Sequence, residues 1–241
     1  MDLLAPVPVQ DATAPHAVAA TPRMTLAARL DVLPAAQRTL WPELAAVPGQ
    51  FVLYGGTGLA LRLGHRESID FDFFSHDPLD HRALESQLPL LRTAETLQES
   101  PDTRTVIIQR ADAPVKLSFF GGLTFGRVGE PEATTDGVLR VASTLDLAGT
   151  KVKALLQRVE AKDYRDIAAL LDHGVTLSDI LGSGRALFGP SFSPLVARKA
   201  LVYFEGGDLE SLDAALRARL VAASTHDLDV PALQIRSPRL G

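Results

Sequence analysis

The chain contains no cysteine, and only one tryptophan and two methionines in 241 residues. Without cysteine there are no disulfides, no thiolate nucleophile and no cysteine-ligated zinc, a composition compatible with a reducing cytoplasm. Long apolar runs are missing as well. The longest uncharged stretch, residues 44–61, contains Pro48, Gly49, Gly55, Gly56 and Gly58, and so reads as a turn between elements rather than a membrane span. The opening residues MDLLAPVPVQDATAP lack the basic and apolar regions of a secretory signal. The expectation is a cytoplasmic protein with no membrane association. An excess of positive charge is also absent, and a net charge of -5 argues against a broadly basic nucleic-acid binder.

A hydrophobic fraction of 46% and a charged fraction of 22% are those of a globular chain long enough to bury a proper core. Residues 1–22 are rich in Ala and Pro without periodicity, the pattern of a disordered or loosely attached arm. Residues 25–33 and 35–46 read as short helices broken at Pro34. Strand patterns follow at 51–54, 69–74, 92–99, 103–109, 115–120 and 138–142, with a helix at 80–88. These predict a mixed sheet backed by helices. From Ser143 the period becomes helical, with helices over 143–158, 163–172, 177–187, 194–204 and 209–222. The expected organisation is therefore an α/β (α+β) unit over residues 23–142, a helical unit over 143–223 and a loose tail over 224–241.

Residues 51–75, FVLYGGTGLALRLGHRESIDFDFFS, hold the densest chemistry. They read as strand, glycine turn, short helix and second strand. Gly55 and Gly56 allow a sharp reversal, and Thr57 is placed to cap the helix, whose first amides suit a phosphate. In the second strand Asp70 and Asp72 share one face while Ile69, Phe71 and Phe73 take the other. Two converging carboxylates repel unless a cation sits between them. A hard divalent ion with oxygen ligands, most simply magnesium with a nucleoside triphosphate, satisfies both. Arg62, His65 and Arg66 cluster beside this turn, and Lys151, Lys153, Arg158, Lys162 and Arg165 cluster later; such groups suit a triphosphate, an RNA backbone or simply a solvated face.

A second constellation lies on the later helices. Ser143 with Asp146 makes a capping box. Ala148, Val152, Leu155 and Val159 form an apolar stripe, with Lys151 and Arg158 on its border and Lys153 pointing away. Asp163, Asp166, Ile167 and Leu170 share a face of the next helix, so the Asp166 carboxylate needs a partner. Pairing with Lys162 or Arg165 is one reading, and a catalytic or lysine-orienting role is the other.

GGTGLALRLGHRESIDFDFFS, DLAGTK (146–151) and RVEAKDYRD (158–166) resemble, in order and distance, motifs of the AbiEii/AbiGii-type nucleotidyltransferase toxins, a branch of the DNA polymerase beta-like superfamily. The resemblance covers residues from about 51 to about 172. It implies a nucleotidyltransferase mixed sheet with flanking helices and a C-terminal helical bundle. It further implies that Gly55, Gly56 and Thr57 hold the triphosphate with Arg66 beside them, that Asp70 and Asp72 hold Mg2+, that Lys151 contacts the phosphates, and that Asp166 is essential. The reaction implied is transfer of a nucleoside monophosphate from an NTP to an acceptor hydroxyl, by analogy RNA and perhaps a tRNA 3' end, by a toxin whose antitoxin is a separate protein. One position departs from the pattern. Lys116-Leu117-Ser118 stands where the family has Lys, an apolar residue and Asp, and a serine is no base at neutral pH without activation. Asp166 is the candidate to take over that role. The rival readings are a protein-modifying nucleotidyltransferase and a nucleotide-binding module without turnover.

Overall fold

The computed structural model describes residues 25–225 and 229–241; the arm expected over residues 1–22 lies outside the described residues. In chain order the elements are β1 (Thr25–Leu26), α1 (Ala35–Leu40), β2 (Val52–Tyr54), α2 (Gly55–Leu63), β3 (Asp70–Phe74), α3 (His81–Gln87), β4 (Glu95–Ser100), β5 (Thr103–Ile108), β6 (Val115–Phe120), β7 (Glu132–Thr134) and β8 (Arg140–Val141). Helices then take over: α4 (Thr144–Ala154), α5 (Ala161–Asp172), α6 (Leu177–Phe188), α7 (Pro194–Leu201) and α8 (Ala214–Thr225). The strands form one mixed sheet in the order β1-β7-β8-β2-β3-β6-β5-β4.

β3 runs in the middle, antiparallel to β2 and parallel to β6. Its alternation divides the sheet into two faces. Phe71 and Phe73 are fully buried, Phe73 stacking on Phe119 at 5.0 Å and Phe71 meeting Trp41 at 6.3 Å. Trp41 opens the 3-10 turn Trp41–Ala46 that continues α1, so this face is closed by the helical segment before β2. Asp70, Asp72 and Phe74 point to the other face, which α4 and α6 border as a cleft. A single hydrophobic core links the sheet to the later helices, from Leu53 and Phe119 through Leu147 and Val152 to Ile167 and Ile180. Among the described residues no helix is long and apolar enough to cross a membrane.

Several sequence expectations need correction. The helix expected over 25–33 is β1 followed by a 3-10 turn, Leu30–Val32, because Thr25 and Leu26 pair in parallel with Ala133 and Thr134 of β7. Ile69, expected on the packed face, precedes the first paired residue of β3 and is 56% exposed. Residues 229–241, expected as part of a loose tail, are docked: Arg127 N donates to Ser237 O at 2.9 Å, Arg236 N donates to Arg127 O at 2.8 Å, and Leu240 is buried.

Candidate active site

The turn from β2 into α2 is shaped around Asp72. Gly55 has a φ of +68°, a left-handed conformation that a side chain disfavours, and a Cβ there would lie 2.5 Å from Asp72 Oδ2. The backbone thus approaches the carboxylate more closely than any other residue type allows. Thr57 does not cap α2: Tyr54 holds the N-cap position without a side-chain bond. Thr57 is buried in the first turn, where its hydroxyl contacts Ser68 Oγ at 2.8 Å and donates to the Asp70 carbonyl, tying α2 to the start of β3.

The sheet register sets what faces the two aspartates. Asp70 is opposite Lys116, whose Nζ lies 3.0 Å from Asp70 Oδ2, and Asp72 is opposite Ser118. Burial, reinforced by the charge of Asp70, pushes the Asp72 carboxyl above the usual carboxylate range. Among the described residues Asp72 has no ion-pair partner within 4.0 Å. This donor set suits a hard divalent cation. It supplies two carboxylates; among the described residues there is no cluster of three or more ligating side chains.

Behind the aspartates lies a buried ionic chain. Ser143 caps α4, its hydroxyl accepting from Asp146 N at 3.1 Å, as the capping box predicts. The Ser143 hydroxyl in turn donates to Asp146 Oδ2 at 2.6 Å. The Asp146 oxygens also accept from Val128 N at 2.7 Å and Gly129 N at 3.1 Å, fixing the strand connection against α4. Two turns of α4 then bring Lys151 to the cleft, 4% exposed, with Nζ 2.7 Å from Asp166 Oδ2 and 3.1 Å from Asp163 Oδ1. Arg158 Nε donates to Asp163 Oδ2 at 2.8 Å. Arg66 clasps Asp166 through Nε at 2.7 Å and Nη2 at 2.9 Å, and His65 Nε2 lies 2.7 Å from Asp166 Oδ1. Burial alone would raise Asp166, but hydrogen bonds from His65 and Arg66 and the charge of Lys151 outweigh it and hold the carboxyl well below its ordinary range. Asp163 is lowered in the same way, the Arg158 bonds and the Lys151 charge overcoming burial.

Asp166 is fully buried, with its oxygens engaged by Lys151, Arg66 and His65, contacts that fit the lysine-orienting expectation better than that of a base for an acceptor hydroxyl. Its partners are not Lys162, which pairs with Glu160 at 2.7 Å, nor Arg165, which donates to Ser211. Asp163, itself held by Arg158, takes the other side of Lys151; the helical spacing already put Asp163 on the face of Asp166, but not which cation it meets. Arg66 brings its guanidinium next to Gly56, where a Cβ would lie 2.6 Å from Nη2, while bonded to Asp166. Gly55, Asp72, Lys151 and Arg158 share the wall of a cleft of about 760 Å3 with Lys153, Gln157 and a set of phenylalanines. Lys153, expected to point away, lies on that wall with Nζ 5.5 Å from the Phe188 ring centroid.

The mixed sheet backed by helices is a fold that the chain shares with solved nucleotidyltransferase structures. The chain belongs to the nucleotidyl transferase AbiEii toxin family of type IV toxin–antitoxin systems, whose sequence model matches residues 42–189. A protein of Aquifex aeolicus, itself uncharacterised, is 34% identical over 159 residues, 64% of this chain and 74% of that one. The fold is similar to that of MenT4, a nucleotidyltransferase toxin of Mycobacterium tuberculosis, with a TM-score of 0.54 and 12% identity over 78% of this chain and 81% of that one. An H. pylori protein assigned as a nucleotidyltransferase matches with a TM-score of 0.50 and 18% identity over 78% of this chain and 90% of that one.

Proposed function

We propose that this nucleotidyltransferase transfers a nucleoside monophosphate from an NTP to an acceptor hydroxyl of RNA, with a tRNA 3' end as the leading acceptor, and that it acts in the cytoplasm as a toxin with a separate antitoxin protein. The observation that carries the reading is the approach of the Gly55 backbone to Asp72 on a cleft wall that also holds Lys151. Asp70 and Asp72 would hold Mg2+, which when bound supplies charge stabilisation to the reacting phosphate and the leaving pyrophosphate. The backbone of Gly55, Gly56 and Thr57 lies at the positive end of α2, suited to the triphosphate. Lys151, held by Asp163 and Asp166, presents a fixed positive charge to the cleft, and Arg66 adds a second behind the turn. Phosphoryl transfer rests mainly on positioning and charge stabilisation, so the lack of a dedicated base at Ser118 does not preclude it.

The reading of a binding module without turnover draws on Ser118, which leaves the position opposite Asp72 without a third carboxylate. Labelled NTPs incubated with Mg2+, separately with total RNA and with lysate protein, test all the readings. Label in RNA is the expected result; label in protein alone gives the protein-modifying enzyme, and label in neither gives the module.

A further inference from the structure

Beyond Asp72 the cleft wall is aromatic, and the transfer chemistry leaves those rings without a role. Phe74 follows Asp72 by two residues on β3, and Phe120 follows Ser118 by two on β6, so both continue the acidic face about 6.6 Å further on at ~3.3 Å per residue. The ring centroid of Phe74 lies 5.4 Å from that of Phe120 and 6.2 Å from that of Phe125, and Phe125 lies 5.2 Å from Phe188 of α6. All four are only partly buried and line the cleft. Phe71, Phe73 and Phe119, on the opposite face of the same strands, are fully buried. Aromatic area left open in a concave site is unfavourably hydrated, and a flat ligand removes that cost. The cleft wall thus carries both charged groups, Asp72 and Lys151, and a run of rings from Phe74 to Phe125 and Phe188.

We propose that Phe125 and Phe188, backed by Phe74, form the stacking subsite for the nucleobase of the nucleoside triphosphate, with Gln157 at its rim. This rests on the nucleotide reading above. Stacking accepts every base, since each has a π-face, so discrimination falls to the exposed Gln157 amide, which offers both donor and acceptor to a base edge. Lys153, with Nζ 5.5 Å from the Phe188 ring centroid, adds a positive charge at the subsite itself.

The test is equilibrium binding, with Mg2+, of each ribonucleoside triphosphate and of inorganic tripolyphosphate to the wild-type chain and to Phe125→Leu, Phe188→Leu and Phe188→Trp, each checked for folding by thermal melting. The wild type should bind at least one NTP more tightly than tripolyphosphate. Each leucine variant should weaken that NTP by about 10-fold or more, within the range for losing one stacked base, and leave tripolyphosphate unchanged, while Phe188→Trp keeps NTP affinity. A wild type that binds NTP and tripolyphosphate equally, or leucine variants that leave the preference intact, would overturn the subsite yet leave the phosphate and metal site standing. A folded wild type that binds neither probe overturns the nucleotide reading itself. Should the leucine variants not fold, the wild-type preference decides.

Discussion

The Lys151 ammonium meets the Asp166 carboxylate at 2.7 Å, with both side chains almost entirely removed from solvent. Two desolvated charges in contact are poor evidence of added stability, but removing one strands the other. Asp166→Asn would leave Lys151, Arg66 and His65 facing one another across a neutral amide. We expect it to cost about 3–5 kcal/mol in urea unfolding, the scale for breaking a buried ion pair, and to reduce transfer by releasing Lys151. Loss of transfer with unchanged stability and unchanged nucleotide binding would instead return Asp166 to the role of a base.

Acidification should act on Asp166 and Asp72 in opposite directions. Asp163 and Asp166 are lowered in the folded state, so their contribution is complete above the unfolded value of roughly 3.9 and is lost as pH falls through the folded values. Asp72 is raised, so its cost is complete above the folded value and fades as pH falls toward roughly 3.9. In metal-free buffer Asp72→Asn should therefore be more stable than wild type at neutral pH while losing transfer, and the gain should shrink on acidification. The stability deficit of Asp166→Asn should shrink over a lower range, below about pH 4. Denaturant midpoints from pH 3 to 8 for the three proteins measure both trends, and a destabilised Asp72→Asn at neutral pH would contradict the assignment of Asp72 as a strained carboxylate.

What the sequence disclosed, and what it hid, follows the range of the interactions. The β2–α2–β3 unit is legible because glycine punctuation and a period of two act over a few residues, and Ser143 and Asp146 disclose the start of α4 for the same reason. The side-chain angles of α5 placed Asp163 and Asp166 on one face, but local reading offered only neighbours as partners. Arg66 and His65 reach Asp166 from about a hundred residues away, and no spacing rule reports such a contact. β1 and β7, of two and three residues, are too short to show a period and exist through their pairing. Lys153 reads as outward from α4 alone, and it lies on the cleft wall because α6 brings Phe188 to it.

Lys151→Ala should be the more damaging of the two lysine substitutions. Asp163 keeps Arg158 and Asp166 keeps Arg66, so the variant should fold while the cleft loses its fixed cation. A loss of roughly 10²–10³ in kcat is expected by analogy with removing a donor to a developing negative charge. Lys153→Ala removes a more exposed charge and should act mainly on KM. Equal losses in kcat would show that Lys151 serves only the fold.

Gly55→Ala tests the turn without touching a charged group. The substitution places a methyl group in a left-handed backbone conformation and 2.5 Å from Asp72 Oδ2, so either the turn or the carboxylate must move. Transfer should fall by at least an order of magnitude, whereas Gly137→Ala, also at positive φ but with open space around it, should lose stability alone. Full activity in Gly55→Ala would separate the turn from the reaction.

Ser118→Asp addresses the position where the sequence resemblance leads to an aspartate and the chain has a serine. Ser118 is 4% exposed and stands opposite Asp72 across the β3–β6 ladder. A carboxylate there would face Asp72 directly, with Asp70 two residues along, so in metal-free buffer the variant should be less stable than wild type through like-charge repulsion and burial. On the proposed function Mg2+ binds the folded site and not the unfolded chain, and a third oxygen ligand tightens that binding, so the rise in Tm on adding Mg2+ should be larger in the variant than in wild type. For transfer, the proposed function requires the wild type to be active with Asp70 and Asp72 alone and the substitution to change the rate only modestly. An inert wild type beside a strongly active Ser118→Asp, assayed with the same RNA, would mean that the chain keeps the nucleotide site but has lost turnover, and the binding module would replace the enzyme.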